Sequence, residues 1–418
     1  MLERVGNPIR IVGDTTRRCN LDCWYCHSTS GPHYKGPELE GEDIVNIYEA
    51  AEKSMVFEIT LTGGEPLMWK GLNEAMELSK DLDYPALQVI TNATLVDKHR
   101  LQTLKKGKLN RIVVSLDGKR EIHEGNRSKD TYERTLKGIR ALEGIVDNIT
   151  VISVLDSTNF DRWPELIYPL VKMGIKQHHL TPVCFAGDAM DTYKGLTDEQ
   201  FKAVRETVNQ ITPTLPEGFI LVFNDILINN PNTRTIPINS FNEKFKGWQF
   251  VIRPDGKANV AVRSWGRSWR ENETLGNIKE ENLTQIISRT KDRRKLVVSG
   301  QFSSEEERKR KFHLCGPTQD EIEKDRMDVK KIEAGVIEPA HECLTPAGKK
   351  GESSYEKIFF LPLPDSPGEI AELLISQPER YRLRNEQGFG FLFDRVTFNV
   401  TLLRQDELDD INKILSRK

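Results

Sequence analysis

Cys19, Cys23 and Cys26 fall within eight residues, spaced as CxxxCxxC. Three soft thiolates on so short a segment can wrap a soft metal ion or an iron–sulfur centre. No fourth cysteine lies close in sequence, so a four-iron cubane held here would keep one iron open to an exogenous ligand. A zinc site completed by His27 is the competing reading, although structural zinc sites usually arrange their ligands as two paired knuckles. Further along stand Thr62-Gly63-Gly64-Glu65-Pro66, Thr91-Asn92-Ala93 and Ser115-Leu116-Asp117-Gly118. Paired glycines let backbone approach a ligand closely, and Glu65 supplies an acceptor beside them. Taken singly, each motif reads as a turn or a helix cap. In this order they read as the walls of one pocket, suited to an amino-acid head group and ribose hydroxyls.

The elements that must hold these residues alternate through the first 183 residues. Strand-like Ile9–Asp14 precedes helical Glu40–Lys53, and Phe57–Thr62 precedes Leu72–Leu82. The same order recurs in Ala86–Thr91 with Asp97–Lys106, Arg111–Leu116 with Thr131–Leu142, and Asn148–Leu155 with Trp163–Met173. Lys176–Pro182 is a sixth strand. Repeated β-then-α units imply a parallel sheet with crossover helices, and six of them make a partial (β/α)6 TIM-type barrel of the α/β class. The motifs all fall at the carboxyl ends of the expected strands, where such sheets carry their chemistry.

Composition narrows the class of protein. At 37% hydrophobic and 29% charged residues with a formal charge of −3, the chain reads as globular and carries no nucleic-acid footprint. The apolar runs are too short to cross a bilayer and no secretory signal is visible, so a cytoplasmic location is expected. Six cysteines in 418 residues are too few for a disulfide scaffold, which points to metal chemistry in a reducing compartment.

From about Ile9 to Pro182 the chain resembles the radical S-adenosylmethionine superfamily. The likeness rests on CxxxCxxC with Tyr25 before its last cysteine, Gly-Gly-Glu-Pro, and Ser-Leu-Asp-Gly at the fourth strand. The resemblance implies a [4Fe–4S] cluster on Cys19, Cys23 and Cys26, with S-adenosylmethionine on its open iron. It implies that Gly63, Gly64 and Glu65 hold the methionine amino group, that Ser115 and Asp117 meet the ribose, and that Asn92 lines the same pocket. Arg127 resembles the basic residue that meets the methionine carboxylate, and backbone at Val151–Val154 would lie near adenine. One-electron reduction from an external flavodoxin- or ferredoxin-type donor would then yield a 5′-deoxyadenosyl radical.

After residue 183 the pattern changes. Residues 184–346 read as a small α+β accessory region, with Ile-Arg-Pro-Asp-Gly at 252–256 and Leu-Gly-Asn-Ile at 275–278 resembling the domain that follows the barrel in many peptide-modifying members. Its usual cysteine after the turn is missing. Cys184, Cys315 and Cys343 are widely and irregularly spaced, which argues against a second cluster. Cys184, just past the sixth strand, is a candidate hydrogen-atom donor or substrate-bonding residue, and packing there is an equal alternative. His178 and His179 must point to opposite faces of their strand. A Gly/Lys/Ser stretch at 347–354 reads as a linker to a C-terminal α+β module, 355–418. That module resembles the peptide-recognition domains that escort precursor peptides to radical maturases, but has only one helix after its strands.

The function expected from these features is hydrogen abstraction from a ribosomal precursor peptide, leading to epimerisation, a crosslink or excision. A radical enzyme acting on a small molecule in cofactor biosynthesis and a non-catalytic metal-binding adaptor are the alternatives.

Overall fold

The computed structural model describes residues 7–146, 148–183, 186–192, 194–223, 226–227, 235–237, 249–259, 274–289, 366–386, 389–395 and 399–417. Six strands are laid side by side in chain order: β1 (Arg10–Asp14), β2 (Glu58–Thr62), β3 (Ala86–Thr91), β4 (Leu109–Ser115), β5 (Asn148–Leu155) and β6 (Gln177–Pro182). Every neighbouring pair among them is parallel. Helices such as α1 (Gly41–Lys53), α2 (Leu72–Leu78) and α3 (Lys98–Lys105) make the crossovers, as the alternating pattern predicts. A short helix, Arg120–Asn126, was not evident from apolar periodicity because it carries charged and polar residues almost throughout.

The strands sort their side chains by alternation. Ile11, Ile59, Leu61, Leu87, Val89, Ile112, Val114 and Val151 face the helices in one large apolar core. The residues between them face the other way and are strongly polar at the amino-terminal end of the sheet. There Arg10 Nε lies 2.5 Å from Glu58, Arg111 Nη2 lies 3.3 Å from the same carboxylate, and Gln88 Nε2 donates to it at 2.7 Å. Arg111 Nε donates in turn to Gln88 Oε1 at 2.7 Å. The two histidines separate as strand geometry requires. His178 lies outside and donates from Nε2 to Ser153 Oγ at 2.8 Å, the serine hydroxyl donating onward to the Leu116 carbonyl at 2.6 Å. His179 lies inside, its pKa depressed by burial and by the nearby Arg111 and Arg10 charges. Both are buried. Toward the carboxyl ends the inner face opens, with Ile90, Ser115, Ile152, Val154 and Thr181 all half-buried.

The sheet does not stop where the alternating pattern does. β7 (Ile220–Phe223) adds in parallel beside β6, and a two-residue strand, β8 (Ile226–Leu227), folds back on β7. At the other end β10 (Gln249–Ile252) pairs in parallel with β1, so eight parallel strands run from β10 to β7 within an eleven-stranded sheet. β11 (Lys257–Asn259) and β12 (Gly276–Asn277) then turn antiparallel beyond β10, and among the described residues the sheet is open between its edges β12 and β8. Residues 248–290, expected in an accessory region, thus contribute a strand next to the first one. Cys184, Cys315, Cys343 and the expected linker at 347–354 lie outside the described residues.

Near the C-terminus, Pro367–Ser376 is helical, followed by β13 (Tyr381–Glu386), β14 (Phe389–Asp394), β15 (Asn399–Arg404) and a helix over Gln405–Leu415. Each strand pairs antiparallel with the next, and β9 (Thr235–Pro237) joins β15 as the fourth strand. This sheet sits at the amino-terminal ends of the parallel strands. Arg384, 2% exposed, donates to the carbonyls of Asn7 (2.9 Å), Pro8 (3.1 Å) and Met55 (3.3 Å). Arg395 Nη2 donates to Pro85 O at 2.9 Å, and the Phe57 ring stacks on Phe393 with centroids 5.0 Å apart. A buried guanidinium with several carbonyl partners leaves all of them unsatisfied when it is removed. Arg384→Ala is therefore expected to destabilise the folded chain by roughly 3 kcal/mol, read as a lower denaturant midpoint.

Candidate functional site

The segment carrying the cysteines leaves the end of β1 and is fastened along its length to the ends of β2, β3 and β4. Thr15 N donates to Thr62 O at 2.8 Å, Gly64 N to Thr16 O at 2.6 Å, and Glu65 N to Arg18 O at 2.9 Å. These contacts explain the paired glycines. A Cβ at Gly63, where φ is +141°, would lie 2.3 Å from Thr16 O, and one at Gly64 would lie 2.3 Å from Arg18 O. The close approach that the glycines permit is to the cysteine segment itself.

Two buried carboxylates complete the fastening. Glu65, fully buried, accepts from Leu67 N (3.0 Å), Thr91 Oγ1 (2.7 Å) and Asn92 N (2.8 Å), joining the ends of β2 and β3. Burial raises its pKa, and these three donors partly offset the rise. Asn92 then reaches the cysteine segment, donating from Nδ2 to Asn20 Oδ1 at 3.0 Å and lying 3.9 Å from Cys19 Sγ. Asp117, 1% exposed, accepts from Arg127 Nε (3.0 Å), Arg127 Nη2 (2.9 Å), Val154 N (3.1 Å) and the Tyr25 hydroxyl. Burial works to raise the Asp117 pKa, but the Arg127 charge and the donated hydrogen bonds hold it below the usual carboxylate range. The Arg127 guanidinium also lies 5.5 Å from the centre of the Tyr25 ring.

The structure places the described residues singled out from the motifs on the cysteine segment, at the adjoining strand ends and just past the Arg120–Asn126 helix. Arg127 is buried, not a surface arginine. Asp117, expected at a ribose, has both oxygens committed to protein donors. Ser115, half-buried at the end of β4, stays open to the inner face. His123 was missed by sequence reasoning. It is fully buried, its Nδ1 accepts from Asp117 N at 3.4 Å, and nothing in the His-Glu-Gly-Asn-Arg stretch signals that role.

The three thiols fit a cluster better than a single ion. Burial, the largest effect, and the Glu65 charge push the Cys19 thiol up to about 12. Burial also raises Cys23, with Arg127 opposing. Backbone amides nonetheless aim at sulfur, Leu21 N at 3.4 Å from Cys19 Sγ and Ser30 N at 3.3 Å from Cys26 Sγ, as suits thiolates bound to iron. Among the described residues no three His, Cys, Asp or Glu side chains converge on one point where a single ion would sit. His27, the fourth ligand of the zinc reading, is exposed to solvent. In a cubane each cysteine holds its own iron, so convergence is not required.

Residues 14–170 match the family model described as the radical SAM superfamily. These residues form a radical SAM domain, a class that works with a [4Fe–4S] cluster and S-adenosylmethionine. Over 185 residues, 43% of this chain and 59% of the relative, the sequence is 29% identical to a probable GTP 3′,8-cyclase of Saccharolobus solfataricus. A probable GTP 3′,8-cyclase of Methanococcus maripaludis is 35% identical over 118 residues, 28% of this chain and 39% of the relative. The match thus spans less than two thirds of these relatives. The fold is similar to that of SuiB from Streptococcus suis bound to the precursor peptide SuiA (TM-score 0.56, 16% identity, 69% of this chain and 66% of SuiB). It is also similar to anSMEcpe with bound AdoMet (TM-score 0.51, 18% identity, 68% of this chain and 79% of the other). No helix among the described residues is long and apolar enough to cross a membrane.

Two expectations follow from the site. Asp117→Asn removes the charge that pairs a buried guanidinium, which destabilises by about 3–5 kcal/mol. It also frees Tyr25, so iron bound per chain after anaerobic reconstitution should fall several-fold. The second concerns acid. Burial lowers His123 to about 4 and His178 to about 3. Unfolded histidine takes up its proton near pH 6.5, so the unfolded chain binds more protons below that pH. This stability is present above the unfolded value and lost as pH falls through 6.5 toward 4. Denaturant midpoints at pH 7 and pH 4.5 should show the loss, and His178→Leu should show less of it.

Proposed function

We propose that this chain is a radical SAM enzyme whose substrate is a peptide. Cys19, Cys23 and Cys26 would hold the cluster. Bound there with S-adenosylmethionine, the cluster supplies a one-electron reductive cleavage that generates a carbon radical able to take hydrogen from a substrate. The chain's own residues do the positioning. Backbone at Gly63, Gly64 and Glu65 would receive the methionine amino group, since the Glu65 side chain is committed to Thr91 and Asn92. Arg127, clamped through Nε and Nη2 by Asp117, would offer Nη1 to the methionine carboxylate. Ser115 would meet the ribose, Asn92 would line the pocket, and backbone near Val154 would border adenine. Ile90, Ile152 and Val154 give the inner face an apolar lining that excludes water from a reactive intermediate. The electron would come from an external flavodoxin- or ferredoxin-type donor.

The observation that carries the peptide reading is the extent of the likeness to SuiB, which was crystallised with a precursor peptide. It covers 69% of this chain. A small-molecule substrate is the second reading, favoured by the names of those cyclases. Leader recognition by the C-terminal module belongs to the peptide reading, and strand addition would use an edge of that sheet, whose edge strands among the described residues are β13 and β9. A catalytic role for Cys184 and a single cluster per chain are parts of the same proposal.

The test is anaerobic reconstitution with S-adenosylmethionine and dithionite, following 5′-deoxyadenosine and substrate mass. Slow 5′-deoxyadenosine release should rise several-fold with a peptide from a short reading frame beside the gene, and not with GTP. Cys23→Ala should abolish it. Stimulation by GTP and by no peptide would establish the second reading instead.

A further inference from the structure

At the carboxyl end of β1, just before the cysteine segment, Asp14 is completely buried. Neither of its carboxylate oxygens receives a hydrogen bond among the described residues. The nearest cation, Arg17, stands off at 3.8 Å from Nε to Oδ2. Arg17 is itself mostly buried, 14% exposed in its side chain, and its Nε and Nη2 have no hydrogen-bond partner either. Two unused acceptors thus lie beside two unused donors. Arg253, just past β10 on the strand beside β1, also acts on Asp14 by its charge and pairs with Asp255 at 3.4 Å. Lys257 Nζ lies 3.9 Å from the same Asp255 carboxylate.

Burying a carboxylate and a guanidinium without hydrogen bonds is destabilising, because water would have satisfied both. Such an arrangement serves the fold poorly and serves a ligand well. Burial raises the Asp14 pKa to about 7, with Arg17 and Arg253 opposing the rise, which reflects the same lack of donors. Gly63 keeps this corner clear, since a Cβ there would lie 2.8 Å from Asp14 Oδ1. A neutral pair of one acceptor group and one donor group is complementary to a neutral group that presents a donor and an acceptor side by side. The amide chemistry of an extended chain does this, because the N–H and C=O of one residue point to the same side.

We propose that Asp14 and Arg17 form a subsite that grips the backbone of one residue of an extended peptide, Asp14 accepting its N–H and Arg17 donating to its C=O. The proposal rests on the peptide reading for its biological occupant, and its chemistry can be tested separately. Arg17, the more exposed of the two, must turn aside to admit the chain.

The probe is N-acetylglycine N-methylamide, followed by saturation-transfer NMR on the full-length chain reconstituted with its cluster. Wild type should give a saturable transfer signal. Asp14→Leu should weaken it about tenfold, as expected for a hydrogen bond to a charged group, and isosteric Asp14→Asn should fall between. Both variants should melt at or above the wild-type temperature, which a residue with a structural role would not allow. No signal with wild type, an unchanged signal in Asp14→Leu, or a lowered melting temperature in Asp14→Asn would each overturn the subsite. A peptide that is not modified while the probe still binds would overturn the peptide reading and leave the subsite standing.

Discussion

Two saturated carboxylates hold the cysteine segment in place. Glu65 and Asp117 sit just past the carboxyl ends of β2 and β4, which flank β3, fully buried, with three and four protein donors respectively. A buried carboxylate is tolerable only when its acceptors are filled, so each demands a fixed set of neighbours. Those neighbours are Tyr25 of the cysteine segment, Thr91 and Asn92 at the end of β3, Val154 of β5, Leu67 just after Glu65, and Arg127 just past the Arg120–Asn126 helix. The thiols are consequently located by the sheet and not by the loop that carries them. Such rigidity suits a site whose cofactor must meet a substrate hydrogen at short range.

Below that level the barrel interior is sealed in two ways. The Arg10–Glu58–Gln88–Arg111 network closes the inner face at the amino-terminal ends. The C-terminal sheet then covers those ends from outside, through Arg384, Arg395 and Phe393. Among the described residues these contacts close the amino-terminal side of the interior, opposite the cysteines. The module that resembled a peptide-recognition domain lies at the opposite end, so a leader held there would have to run along the outside of the barrel to deliver its core.

Much of this was legible from local pattern. The strands Ala86–Thr91 and Asn148–Leu155 were read to the residue, because each combines β-branched composition with clear flanking breaks. The cysteine spacing and the strand-end motifs picked out residues that lie at adjoining strand ends in the fold. What was not legible depends on pairing at long range. Nothing in the residues of Gln249–Ile252 says that its neighbour is β1. The paired glycines read as room for a ligand, and only the fold reveals that backbone of residues 16–18 fills that room. Asp117 read as a contact for a ribose because its partner Arg127 is separated from it by a helix whose packing the sequence does not disclose.

The pairing of β1 with β10 also bears on how the molecule is made. The first strand finds one of its two sheet partners more than two hundred residues later, and Arg384 closes a second long loop back to Asn7 and Pro8. Contacts of such high sequence separation form late and slowly. While the chain leaves the ribosome, β1 keeps an unpaired edge directly beside the thiols, and Asp14 lacks its neighbour Arg253. Metal loading on a finished site belongs after synthesis is complete. Until then the growing chain offers a sticky strand and three reactive sulfurs to whatever surrounds it.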